Sequence, residues 1–305
     1  MQAIQSFGKK KVKRMSNYDY WSGDLNATED ILEHHGILGQ KWGVRRYQYK
    51  DGSLTPAGQE RYLSNKSYMQ TRDVVLGRGN KMYRISTNDN PVDAPRLYTA
   101  LTKSDADAYK GLYSKDLQRV FKVQKFYQKT YETSENTKIA SEKNCKKIMQ
   151  DLLQNDAKFK NAVINTLNDE RKQSTFRFSP KEIEAATREV TSGKLSTSAF
   201  NVLSTTIVKD DTHGFQKQYF NALANKGYDG LPDINNKYIQ TKYHATAPAI
   251  IFNTTKLKLS SIDAYDMRKI QGLYTQELLK QQVRNLAETG GNLINYVSGK
   301  TIQEY

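Results

Sequence analysis

The sequence predicts an α+β fold with a mixed sheet, and three observations carry that reading. β-type runs occur at residues 81–102 and again at 249–253. Between them, from about 134 to 225, apolar residues recur at helical spacing. Ahead of both lies a basic N-terminal stretch with no sustained period.

The elements follow in order. Residues 1–32 read as an irregular basic arm, with Lys9, Lys10, Lys11, Lys13 and Arg14 clustered and Tyr18, Tyr20 and Trp21 scattered. No apolar stretch follows the basic cluster, so it does not read as a secretory signal. Residues 33–62 carry five glycines, one tryptophan and three arginines. Asp51-Gly52-Ser53 reads there as a tight turn, and Thr55-Pro56 as a capped helix start with proline at the first helical position.

A globular segment is expected from residue 72. Lys81–Thr87 reads as a strand, Asn88–Pro91 as a turn and Arg96–Thr102 as a second strand. Ser104 is the expected cap of a helix through Asp105, Ala106, Tyr109 and Leu112, and Arg119–Tyr127 is a third strand. In the helical stretch, Ile148, Met149, Leu152 and Leu153 form one face, and Phe159, Ala162, Val163 and Leu167 another. Ser179-Pro180-Lys181-Glu182 has the form of a capping box. Residues 199–206 and 215–224 add helical turns, and Lys226-Gly227 is a glycine stop. Tyr228–Asp233 reads as a strand end with a turn, Tyr238–Tyr243 as a further strand, and Ala249–Asn253 as a buried strand. Residues 263–305 form a tail, amphipathic and helical over 266–286, with a break at Gly290-Gly291.

Composition narrows the classes of function. Lys plus Arg number 47 and Asp plus Glu 32, a formal charge of +15 in 305 residues. That excess favours an anionic partner, DNA included. No run of eighteen apolar residues exists, so no membrane span is expected. The single cysteine, Cys145, forms no internal bridge and suits a reducing compartment. No metal site is expected. His34 and His35 are adjacent and point different ways, His213 and His244 are remote in sequence, and no cysteine pair or acid cluster joins them.

Two resemblances point to function. The run His34-His35-Gly36-Ile37-Leu38-Gly39-Gln40-Lys41-Trp42-Gly43-Val44-Arg45-Arg46, continued by Lys50-Asp51-Gly52-Ser53-Leu54-Thr55-Pro56-Ala57-Gly58, resembles a short module of proteins encoded by tailed phages and prophages of Gram-positive hosts. It implies a viral context, in the virion or in the cytoplasm of the infected bacterium. His35, Gly39, Trp42, Arg45 and Arg46 are its candidate docking residues. Aromatic and guanidinium groups side by side suit either a groove on a protein or nucleic acid, and the groove is preferred. The expected partner is therefore a phage structural protein of the capsid or portal region, bound through residues 33–62.

The second resemblance lies in motif order. Tyr83-Arg84 ends a strand; Tyr98, Leu101 and Thr102 follow, ahead of Asp105, Asp107 and Tyr109; then come Lys226-Gly227-Tyr228-Asp229-Gly230 and Ala247–Asn253. This order resembles ADP-ribosyltransferase-like domains, here spanning 72–262 with a helical insertion at about 134–225. The resemblance implies NAD as cofactor, with Arg84 at its phosphates, Thr99 and Thr102 shaping the nicotinamide cleft, and Tyr98 and Tyr228 beside it. It also implies a glutamate on a late strand, yet no Asp or Glu occurs between Asp233 and Asp263, and Gln240 carries no charge. Three functions are therefore expected: a virion- or capsid-associated accessory protein with a degenerate transferase-like domain, an active transferase, or a nucleic-acid-associated internal head protein.

Overall fold

The computed structural model describes residues 46–90, 96–110, 125–172, 178–206, 212–234 and 245–266. The chain divides into two compact units, Met1–Val44 and Arg45–Tyr305, and every described residue belongs to the second. The expected strand at 238–243 and the helix of the C-terminal tail lie outside the described residues.

Two short helices, α1 (Pro56–Leu63) and α2 (Tyr68–Thr71), precede the strands β1 (Val74–Leu76), β2 (Lys81–Ser86) and β3 (Leu97–Ala100). Helix α3 covers 103–110, followed by β4 (Lys125–Thr133) and β5 (Thr137–Ile139). Five helices come next: α4 (Glu142–Asn155), α5 (Ala157–Lys172), α6 (Pro180–Thr191), α7 (Thr197–Thr206) and α8 (Phe215–Asn225). Strands β6 (Gly230–Pro232), β7 (Pro248–Ile251) and β8 (Leu257–Asp266) complete the order.

One eight-stranded sheet runs β1-β5-β6-β7-β3-β2-β4-β8. Its pairs are antiparallel except β5 with β6. The fold is therefore α+β with a mixed sheet, and the runs at 81–86, 97–100 and 248–251 are neighbours in it.

Residue chemistry accounts for the elements. Thr55 caps α1: its Oγ1 accepts from Gly58 N–H at 3.1 Å, and Pro56 follows it. The capping box at Ser179 and Glu182 forms in both directions. Gly227 takes φ +78°, the left-handed geometry that ends α8. In α4, Cys145, Ile148, Met149 and Leu153 are buried at helical spacing. With Phe159, Val163, Leu167, Ile183, Val190 and Tyr219 they build a helical core that covers Leu231 and Ile250 of the sheet. The opposite face packs Leu54, Leu63, Met69, Met82, Leu97, Tyr131 and Ile251.

Several expectations need correction. The helical stretch begins at Glu142, not near 134, because β4 runs on to Thr133 and β5 follows at 137–139. Of the third strand expected at 119–127, residues 119–124 lie outside the described residues; β4 is described from Lys125, runs on to Thr133, and pairs on one side with β2 and on the other with the unexpected ten-residue β8. Thr102, not Ser104, caps α3, since its Oγ1 accepts from Asp105 N–H at 3.2 Å. The packed body also begins well before residue 72. Leu54 is buried, bridging Gln48 on one side and Leu76 on the other, and α1 lies against the sheet.

Candidate functional site

The sheet consists of two wings, β1-β5-β6-β7-β3 and β2-β4-β8, joined where β3 meets β2. That junction has a single registered pair, Tyr83 with Ala100. At one end it is closed by Gln59 of α1, whose Nε2 donates to Lys81 O and Leu101 O at 2.6 Å each. At the other end stand Arg84 on β2 and Arg96 and Tyr98 at the start of β3.

Arg84 is half-buried, and among the described residues a buried nitrogen of its guanidinium has no hydrogen-bond acceptor. It lies directly across from Lys129 of β4, which is buried and donates to Asn90 O. Like charges opposite each other on adjacent strands are unfavourable, and a buried donor without an acceptor adds the cost of its lost hydration. An anion at this point relieves both.

Arg96 repeats the pattern. Its guanidinium carbon lies 5.3 Å from the centroid of the Phe220 ring, and one of its buried nitrogens also has no acceptor among the described residues. Burial raises the Tyr98 hydroxyl above its ordinary range; the charges of Arg96 and Arg84 pull it down and that of Asp233 pushes it up. Arg84, Arg96, Tyr98 and Asp233 thus share one electrostatic neighbourhood. Strand alternation nevertheless divides them between faces. Arg84 has the parity of Met82 in the smaller core, whereas Tyr98 packs against the helical core.

The other expected cofactor residues have structural duties. Thr99 is buried and its Oγ1 donates to Ala249 O at 3.3 Å. Thr102 is spent on the α3 cap. Tyr228 donates to Asp73 Oδ2 at 2.8 Å and accepts from Asn144 Nδ2 at 3.2 Å, while Lys138 Nζ lies 4.6 Å from its ring centroid. Burial, then the bond to Asp73, pushes the Tyr228 hydroxyl up to about 12. Burial alone would raise the Asp73 carboxyl, but the bonds from Ser141, Tyr228 and Asn144 outweigh it and hold the group below the usual range.

The motif around Tyr228 is therefore a joint. Asp229 is buried; its carboxylate accepts from Lys138 N–H at 2.8 Å, Asn253 Nδ2 at 2.7 Å and Lys256 Nζ at 3.0 Å. Gly230 lies so close to β7 that a Cβ there would stand 2.8 Å from Ile250 O. Asp105 does similar work at α3. Fully buried, it accepts from Thr246 N–H and Oγ1 and from Ala247 N–H at 2.8–3.1 Å.

Of the docking candidates, His35, Gly39, Trp42 and Arg45 lie outside the described residues. Arg46 is exposed, its guanidinium 5.5 Å from the Tyr47 ring centroid and its carbonyl accepting from Thr55 Oγ1 at 2.7 Å. Residues 46–62 of the module fold onto the sheet. Asp51 accepts from Ser53 Oγ at 2.6 Å and Asn136 Nδ2 at 2.7 Å, which lowers its carboxyl to about 2. Gly58 is required, because a Cβ there would fall 1.9 Å from Tyr47 O.

Gln59, Arg96 and Lys129 were not among the sequence-derived candidates. Among the described residues no group of three or more His, Cys, Asp or Glu side chains is placed to hold a metal, and no helix is long and apolar enough to cross a membrane. No protein-family model, curated protein or solved structure matches the chain.

Proposed function

We propose that this protein is a virion- or capsid-associated accessory protein of a tailed phage, whose sheet domain holds a phosphate-bearing ligand of the NAD type without efficient ADP-ribose transfer. The observation that carries the ligand reading is Arg84: a half-buried guanidinium with one buried nitrogen that has no acceptor among the described residues, facing a buried lysine at the point where the sheet divides. Guanidinium is suited to bidentate phosphate contact, and a second cation beside it favours a dianion. The net charge of +15 suits a protein held close to packaged DNA. In the docking module, residues 46–62 already serve the domain, so the surface for a capsid or portal protein is assigned to residues 33–45.

The second reading is an active transferase. It is favoured by Asp233, which is buried on the β6 side of the sheet and acts on Tyr98. A carboxylate thus acts on the same tyrosine as the arginines, just past β6 rather than on the late strand of the expected glutamate. Labelled NAD separates the readings. Binding that is lost in Arg84→Gln, with no label transferred to protein, supports the accessory reading. Strong automodification lost in Asp233→Asn supports the transferase. Absence of the chain from purified particles overturns the virion assignment.

A further inference from the structure

We infer that the cavity between α8 and the adjoining ends of β6 and β7 binds a mononucleotide: a flat aromatic ring carrying a phosphate. The cavity has a volume of about 730 Å³, within the range of small-molecule sites. Its wall is a three-tier stack. Arg96 lies over Phe220 at 5.3 Å, and Phe220 stacks on Phe252 with centroids 5.3 Å apart and planes 22° apart. Phe252 is only half-buried, so its open surface takes a planar base beside the stack rather than beyond it.

The charges select a phosphate. A buried nitrogen of Arg96 has no acceptor among the described residues, and a phosphate oxygen supplies one. The carboxylate in the lining, Asp229, is already neutralised by Lys256 and by donors from Lys138 and Asn253, so it does not repel an incoming anion. Lys217, exposed on α8, adds positive charge at the rim. Stacking wall, acceptor-seeking guanidinium and basic rim together describe the two ends of a nucleotide. The site does not depend on Arg84, whose strand parity places it with the opposite face.

Calorimetric titration of the full chain with AMP, ribose 5-phosphate and adenosine tests the inference. AMP binds, and ribose 5-phosphate and adenosine bind at least tenfold more weakly, because each lacks one end. Arg96→Gln and Phe252→Leu each weaken AMP tenfold or more, and Lys217→Gln weakens it severalfold from an exposed position that does not affect folding. Arg84→Gln leaves AMP binding within twofold, and with the α8 cavity filled by saturating AMP it abolishes NAD binding if the proposed function is right, so either reading can fail alone. The inference is overturned by no heat with millimolar AMP, by ribose 5-phosphate binding as tightly as AMP, or by loss of AMP binding in Arg84→Gln. If Phe252→Leu does not fold, Arg96→Gln and Lys217→Gln decide; unchanged AMP affinity in both also overturns it.

Discussion

Replacing Gln59 tests whether the module at 33–62 is in part the latch of the sheet. Gln59 is 3% exposed, and its amide nitrogen bridges β2 and the end of β3 through Lys81 O and Leu101 O, both at 2.6 Å. Leucine fills nearly the same volume but donates nothing. Gln59→Leu therefore strands two carbonyls at the junction, each costing about 1–3 kcal/mol when buried without a donor, so the loss is about 2 kcal/mol or more. For a domain of this size that lowers the thermal midpoint by about 4 °C or more. Gln59→Glu is at least as damaging near neutral pH, because it sets a carboxylate against the same two oxygens. Thermal unfolding of the full-length variants followed by circular dichroism provides the assay. An unchanged midpoint in Gln59→Leu would refute the latch and return residues 46–62 to a purely external role.

Three further outcomes follow from the same geometry. Gly230→Ala places a Cβ 2.7 Å from Ile251 Cδ1 and 2.8 Å from Ile250 O, so it separates β6 from β7 and costs about 1–3 kcal/mol in urea unfolding; a neutral variant would show that the strands are free to part. Tyr228 has its hydroxyl raised from 10.0 to about 12, so its stabilising effect is complete below pH 10 and lost as pH rises toward 12. Tyr228→Phe should lose stability at pH 8, through the missing bond to Asp73, and show a shallower decline between pH 10 and 12; an identical alkaline profile would contradict this. Cys145 is buried, and burial pushes its thiol up to about 12, so the folded protein should resist a thiol reagent at pH 8 and react only on unfolding; rapid labelling of folded protein would show an open path to α4.

The helical layer was legible because its signals are local. Capping at Ser179 and Thr55, the glycine stop at Gly227 and the spacing of Ile148, Met149 and Leu153 each lie within a few residues. The sheet was legible at 81–86, 97–100 and 248–251, where β-type residues run on between turn signals. β8 escaped because an edge strand with partly exposed faces lacks a strong apolar pattern, and β5 because three residues have no period. The site was harder still. Arg84 and Tyr98 do meet electrostatically, yet Thr99 and Thr102 have their hydroxyls consumed by Ala249 O and the α3 cap. Arg96 and Lys129 matter through neighbours on other strands and on α8, contacts that no spacing along the chain encodes. Asp229 and Asp105 resemble site acids in sequence, but both are tied by at least three donors each within the fold.

The proposed role rests on the divided sheet holding an anionic ligand through Arg84. Equilibrium dialysis of the full chain with labelled NAD tests it most directly, with inorganic pyrophosphate as competitor and Arg84→Gln as the paired variant. With saturating AMP present to fill the α8 cavity, saturable NAD binding that pyrophosphate displaces and Arg84→Gln abolishes, the unfolding midpoint not being lowered, is the predicted result. Equal binding by both proteins, or no binding by either at millimolar NAD, would contradict it.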